Sequence, residues 1–184
     1  RKSGLIRAIG VSNFSAEQIE PLLSAGRIDY CQFGYSLLWR QPEINQIPFC
    51  RTHGIRTVTY SSLAQGVLAH PPEWIEKLPE SDPRRKLLFL QPQVYQQIKS
   101  ILIELQRIAG RLNLTPAQLS LAWNLSREWN RYTLFGARTR GQAEECSRSA
   151  DIKLPAEAQE QMDALTAPLL QLWPAAENIF GHVP

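Results

Sequence analysis

Gly4-Leu-Ile-Arg-Ala-Ile-Gly-Val-Ser-Asn-Phe14 is the stretch on which the reading of this chain turns. Its apolar part is rich in β-branched residues without strict alternation, which predicts a strand over residues 6–11 buried on both faces of a parallel sheet. The run ends in Ser12-Asn13 and passes into Ser15, which with Gln18 makes the pattern of a capping box. Ile19, Leu22 and Leu23 then form a helical stripe that Gly26 is placed to end. Polar side chains at the mouth of a buried strand, just before a helix, are where α/β proteins grip ligands. The segment stands at the head of the chain with no initiator Met, so the sequence reads as one that begins partway through a fold.

The same unit recurs downstream. Residues 28–35 predict a second strand, residues 43–53 a helix with Pro48 in its first turns, and residues 56–60 a third strand. Residues 69–92 carry five prolines and mixed charge, a composition that predicts a long surface excursion. Val94, Ile98, Ile101, Leu102, Leu105, Ile108 and Leu112 recur at helical spacing, and Thr115 with Pro116 opens a further helix to about Glu128. Residues 132–135 predict a fourth strand, Gly136 a turn into another helix, and Pro155 the start of a last helix to about Leu165. Four such βα units predict an α/β architecture, half of a (β/α)8 TIM barrel, and a sheet of this kind closes only with a partner.

Composition narrows the function. A chain of 184 residues with 43% hydrophobic content can bury one core. Its 20 basic and 17 acidic residues are interspersed, for a net charge of +3, so no strong field is available for nucleic acid or an anionic membrane. No apolar run is long enough to span a bilayer. Cys31, Cys50 and Cys146 form no CxxC and have no histidine at ligand spacing, which predicts no metal site, and an odd, dispersed set of thiols suits a reducing cytoplasm.

A polar or aromatic residue ends each predicted strand: Ser12-Asn13, Gln32, Tyr60-Ser61 and Gly136-Ala137-Arg138. In a barrel these ends share one face. Amide side chains match a carboxamide, an aromatic ring matches a flat heterocycle, and glycine-rich turns at helix starts match phosphates, a set that describes a nicotinamide dinucleotide. Arg138 and Arg140 add the charge that an extra ribose phosphate needs, which favours NADP.

The stretch from Gly4 to Phe14, then Gln32-Phe-Gly-Tyr-Ser-Leu-Leu38, Thr59-Tyr-Ser-Ser-Leu-Ala-Gln-Gly66, and Gly136-Ala-Arg138 with Gln142 and Glu145 resemble the successive signatures of the aldo-keto reductases. The resemblance covers nearly the whole chain and implies the family's fifth to eighth barrel strands. It implies that Ser12, Asn13 and Gln32 hold the nicotinamide carboxamide and that Tyr60 stacks on the ring. Ser61, Leu63, Gln65 and Gly66 would approach the pyrophosphate, Gly136, Arg138 and Gln142 the ribose phosphate, and Glu145 the adenine. The segment after Gly66 would cover cofactor and substrate, with Trp74 or Phe89 as lining groups or, more in keeping with their type, exposed hydrophobic anchors.

Ser62 and Phe135 stand where the family commonly has proline, and Cys146 where it has an adenine-binding asparagine. The family's acid catalyst resembles a Tyr tuned by Lys and Asp, with a His at the carbonyl, and these come from its first four strands. Tyr30, Tyr35, His53, His70 and His182 are not in that pattern and are expected to be structural or surface groups. The expectation is therefore the cofactor-binding C-terminal part of an NADP-dependent oxidoreductase acting on small carbonyl substrates. It would be catalytically silent alone and completed by an N-terminal half-barrel or by self-association. The alternative is a non-catalytic nucleotide-sensing or partner-binding module of the same fold.

Overall fold

The computed structural model describes residues 3–173; His182, and with it one expectation above, lies outside the described residues. Four parallel strands line up in chain order, β1 (Gly10–Ser12), β2 (Tyr30–Gly34), β3 (Arg56–Tyr60) and β4 (Asn130–Thr133). Between and after them run α1 (Ala16–Ala25), α2 (Gln46–Thr52), α3 (Glu73–Glu76), α4 (Pro92–Arg111), α5 (Pro116–Leu125), α6 (Arg140–Ser147) and α7 (Ala156–Thr166). Parallel neighbours joined through helices are what successive βα units must give. Ser12 pairs with Gln32, Gln32 with Val58 and Gly34 with Tyr60, so Ser12 and Tyr60 close β1 and β3 while Gln32, expected at a strand end, lies in the middle of β2.

Local chemistry accounts for the boundaries. Ser15 and Gln18 close the capping box of α1, and Thr115 with Gln118 does the same for α5. Pro48 sits in the first turn of α2, where its missing N–H has no helical partner to lose. Gly10 is required by close approach: a Cβ there would meet Cβ and the carbonyl oxygen of Tyr30, each at 3.1 Å.

The helices cover one face of the sheet. Cys31, Phe33, Thr57 and Thr59 point into that core, whereas Tyr30, Gln32, Val58 and Tyr60 alternate with them on a partly open face. The buried threonines are satisfied, Thr57 by the carbonyl of Trp129 at 2.7 Å and Thr59 by Oδ1 of Asn124 at 3.1 Å. α4 buries Ile98, Ile101, Leu102, Leu105 and Ile108, the predicted stripe.

Two expectations are corrected. Residues 6–9 are not a strand buried on both faces: Leu5 and Ile6 are exposed, because among the described residues no element packs beyond this edge of the sheet. Residues 69–92 are not a surface excursion: Ile75, Leu78, Leu87, Phe89 and Leu90 join the core, and the prolines serve as starts of short helical turns. Phe89 is fully buried, so it is no exposed anchor, and Trp74 is half-buried beneath Arg84 and beside His70.

Candidate cofactor-binding rim

Four side chains meet at the ends of β1 and β3 and the middle of β2. The Ser12 hydroxyl donates to Oε1 of Gln32 at 3.3 Å, and the Tyr60 hydroxyl donates to Oδ1 of Asn13 at 2.9 Å. The backbone N–H of Asn13 donates to the Gln32 carbonyl at 2.8 Å, fixing the turn that carries both residues. These contacts use the oxygens of the amides, and the amide nitrogens of Asn13 and Gln32 make no hydrogen bond within the described residues. They remain as donors for a ligand. Burial raises the Tyr60 phenol above its ordinary value, so it stays neutral and can donate.

Asn13 adopts φ 58°, Ser61 52°, Ala64 49° and Gln65 56°, all left-handed and none of them glycine. Left-handed backbone at residues other than glycine is strained and is held in place by the structure around it. The Gln65 amide donates to Oγ of Ser61 at 2.7 Å and holds the loop before Gly66, itself at φ 94°. Ser62, at the common proline position, is buried and its hydroxyl has no hydrogen-bond partner among the described residues. Leu63 is half-buried in the same turn.

The second group lies beyond β4. Oε1 of Gln142 receives the Arg138 N–H at 2.8 Å, and the Thr139 side chain caps α6. Gly136 and Arg138 are exposed, and the Arg138 guanidinium has no partner among the described residues. Glu145 accepts from the Thr115 hydroxyl, while Cys146 is turned into the protein, where burial raises its thiol pKa. No hydrogen bond joins this group to the Ser12–Tyr60 group among the described residues.

The other tyrosines and histidines are engaged elsewhere. The Tyr35 hydroxyl donates to Glu43 at 2.6 Å and burial pushes its pKa up; Tyr30 accepts from Arg56 at 3.2 Å, which pulls its pKa down. His53 packs on Phe49 and His70 on Trp74. Tyr95 and Lys99 meet only through Glu76. All three cysteines are free and buried, and among the described residues no cluster of His, Cys, Asp or Glu could hold a metal and no helix is long and apolar enough to cross a membrane.

Sequence reasoning missed a buried network beside the rim's supporting helices. Arg40 binds both oxygens of Glu43, at 2.8 and 2.9 Å, and also the Thr166 hydroxyl at 2.9 Å. Asp163 receives Trp123 Nε1 at 2.8 Å and Arg127 at 2.9 Å. The i, i+3 spacing of Arg40 and Glu43 was its one local signal; Asp163 lies more than a hundred residues on.

A parallel sheet whose strands are joined through helices defines the class as an α/β fold. The sequence profile of the Aldo/keto reductase family matches residues 1–167, and the chain belongs to that family. It is 35% identical over 130 residues to "Aldo-keto reductase yakc [NADP(+)]" of Schizosaccharomyces pombe, covering 68% of this chain and 38% of that protein. The fold is similar to that of the glycerol dehydrogenase AKR11B4 from Gluconobacter oxydans, with a TM-score of 0.80 and 23% identity over 92% of this chain and 51% of the other. It is also similar to a thermostable aldo-keto reductase, Tm1743, solved with the inhibitor epalrestat, with a TM-score of 0.64 and 26% identity over 89% of this chain and 50% of the other. The chain thus spans about half or less of the length of these relatives.

Proposed function

We propose that this chain is the cofactor-holding part of an NADP-dependent aldo-keto reductase that, as a complete barrel, reduces aldehydes or ketones. Its four strands correspond in this reading to the family's fifth to eighth, so residues 1–184 belong to one C-terminal half of the reductase domain, at work in the cytoplasm. The observation that carries the reading is the rim itself: Ser12 tied to Gln32 and Asn13 tied to Tyr60, with amide donors left over.

The donor set suits a nicotinamide dinucleotide phosphate. Asn13 and Gln32 would orient the carboxamide, and Tyr60, held by Asn13, would present its ring to the nicotinamide. Ser61, Leu63, Gln65 and Gly66 would shape the pyrophosphate turn, and the unpartnered Ser62 hydroxyl is a further donor within it. Gly136, Arg138 and Gln142 would take the ribose phosphate and Glu145 the adenine. The bound dinucleotide supplies the hydride. Orientation of the ring is the work of this chain's residues, which is where positioning contributes most to such a reaction. With no acid catalyst assigned among Tyr30, Tyr35, His53 and His70, the chain alone binds cofactor without turnover. Further strands, or a second copy, complete the barrel over the open sheet face.

A fluorescence titration of the chain with NADPH and NADH tests this. NADPH binds more tightly, and Arg138→Ala brings the two together with a loss of about tenfold in NADPH affinity, as expected for a charge-assisted phosphate contact. Equal or tighter binding of NADH would remove the role given to Arg138, and steady turnover of a reactive aldehyde would remove the proposed silence of the isolated chain.

A further inference from the structure

On the helix-covered side of the sheet, away from the rim, a cavity of about 450 Å³ lies between α2 and the segment leading into β4. Glu43, Ile47, Arg51, Thr52, Arg127 and Trp129 line it. The volume falls within the usual range of small-molecule sites, roughly 300–1,000 Å³. Arg51 and Thr52 precede β3, and Arg127 and Trp129 precede β4, whereas the rim sits where strands end. The two places are at opposite ends of the sheet.

The polar lining is biased toward donors. Both oxygens of Glu43 are occupied, by the Tyr35 hydroxyl and by Arg40. The Thr52 hydroxyl donates to the Pro48 carbonyl at 3.1 Å. Arg127 spends Nε on the Trp123 carbonyl and Nη1 on Asp163, and its Nη2 has no hydrogen-bond partner among the described residues. That nitrogen is closed off from solvent and the guanidinium lies over the Trp123 ring at 4.5 Å, so Arg127 offers the cavity its charge and not an open N–H. Arg51 is exposed and has neither hydrogen bond nor ion pair among the described residues. The described lining offers a cation no free carboxylate, and its open capacity is the Arg51 guanidinium beside the charge of Arg127.

The rest of the wall is flat and apolar. Trp129 is braced by Tyr35 edge-on at 4.8 Å and by Phe33 at 6.3 Å, and Ile47 and Pro48 line the cavity with it. We infer that this cavity is a binding site for a small planar anion, an aromatic carboxylate, whose carboxylate pairs with Arg51 beside the charge of Arg127 and whose ring packs against the Trp129, Ile47 and Pro48 lining. Arginine's planar fork suits a carboxylate in particular.

Sodium benzoate is the probe, with benzamide as its uncharged counterpart and sodium chloride at matched ionic strength as control. The indole N–H of Trp129, assigned in 1H–15N spectra by loss of its signal in Trp129→Phe, shifts saturably with benzoate. Benzamide binds about tenfold more weakly. Arg51→Ala, an exposed change that removes no internal contact, weakens benzoate severalfold and leaves the spectrum otherwise intact. Absence of a saturable shift at Trp129, equal affinity for benzamide, or unchanged affinity in Arg51→Ala would each overturn the inference. The cofactor titration at the rim is read separately, so either result stands without the other.

Discussion

Single residues hold this sheet together through polar groups that composition alone would place on the surface. Asn124 is fully buried; its Nδ2 donates to the Tyr35 carbonyl, and its Oδ1 accepts from Thr59 and Thr133. Asn130 reaches the same oxygen from the start of β4. Asn124→Ala strands several partners at once and lowers stability by about 3 kcal/mol, to be read from urea unfolding. A loss under about 0.5 kcal/mol, the range of ordinary surface changes, would mean the network is not formed. His70 reports on its own surroundings. Burial, and then the nearby charge of Arg84, hold its pKa below the ordinary value of 6.5. The folded chain therefore prefers neutral His70, so its contribution is present above pH 6.5 and is lost as pH falls from there through the lower folded value. An NMR titration of His70 has its midpoint below that of the unfolded chain, and His70→Gln removes this part of the pH slope.

Elements show where pattern suffices and where packing overrides it. The capping box of α1 is complete, with the Ser15 hydroxyl accepting from Gln18 and the Gln18 side chain returning to the Ser15 N–H at 2.8 Å. Ser15→Ala costs about 1 kcal/mol of stability by denaturant titration. The segment from α3 to α4 is the opposite case. Its prolines and charges predict an excursion, but Phe89 and Leu90 are buried in the core. Phe89→Ala is expected to cost about 3–5 kcal/mol in the same measurement. A near-neutral result would restore the surface reading of residues 69–92.

For the whole molecule, the decisive feature is a sheet covered on one side. Tyr132 and Arg56 are exposed on the other, and Ile9, Leu134 and Phe135 are exposed at its two edges. Open edges and apolar patches of this kind attract further strands. In isolation the chain is expected to associate as its concentration rises and to bind a hydrophobic-surface dye, by light scattering and fluorescence. A dilution-independent monomer without dye binding would contradict an open face.

Much was legible before any coordinates. Ser15 with Gln18, Thr115 with Gln118 and the stripe from Ile98 to Ile108 are local patterns, satisfied within a turn or two of chain, and they reappear as read. The βα rhythm and the polar strand ends likewise follow from residues close in sequence. The rest depends on partners distant along the chain. Whether Ile6 is covered, whether Phe89 is inside, where Arg127 leaves an unused N–H, and how Asn13 comes to hold Tyr60 across 47 positions are questions of which surfaces meet. Side-chain type and period set the elements and the chemistry they can offer; only tertiary contact decides which of those groups are spent on the protein itself and which remain for a ligand.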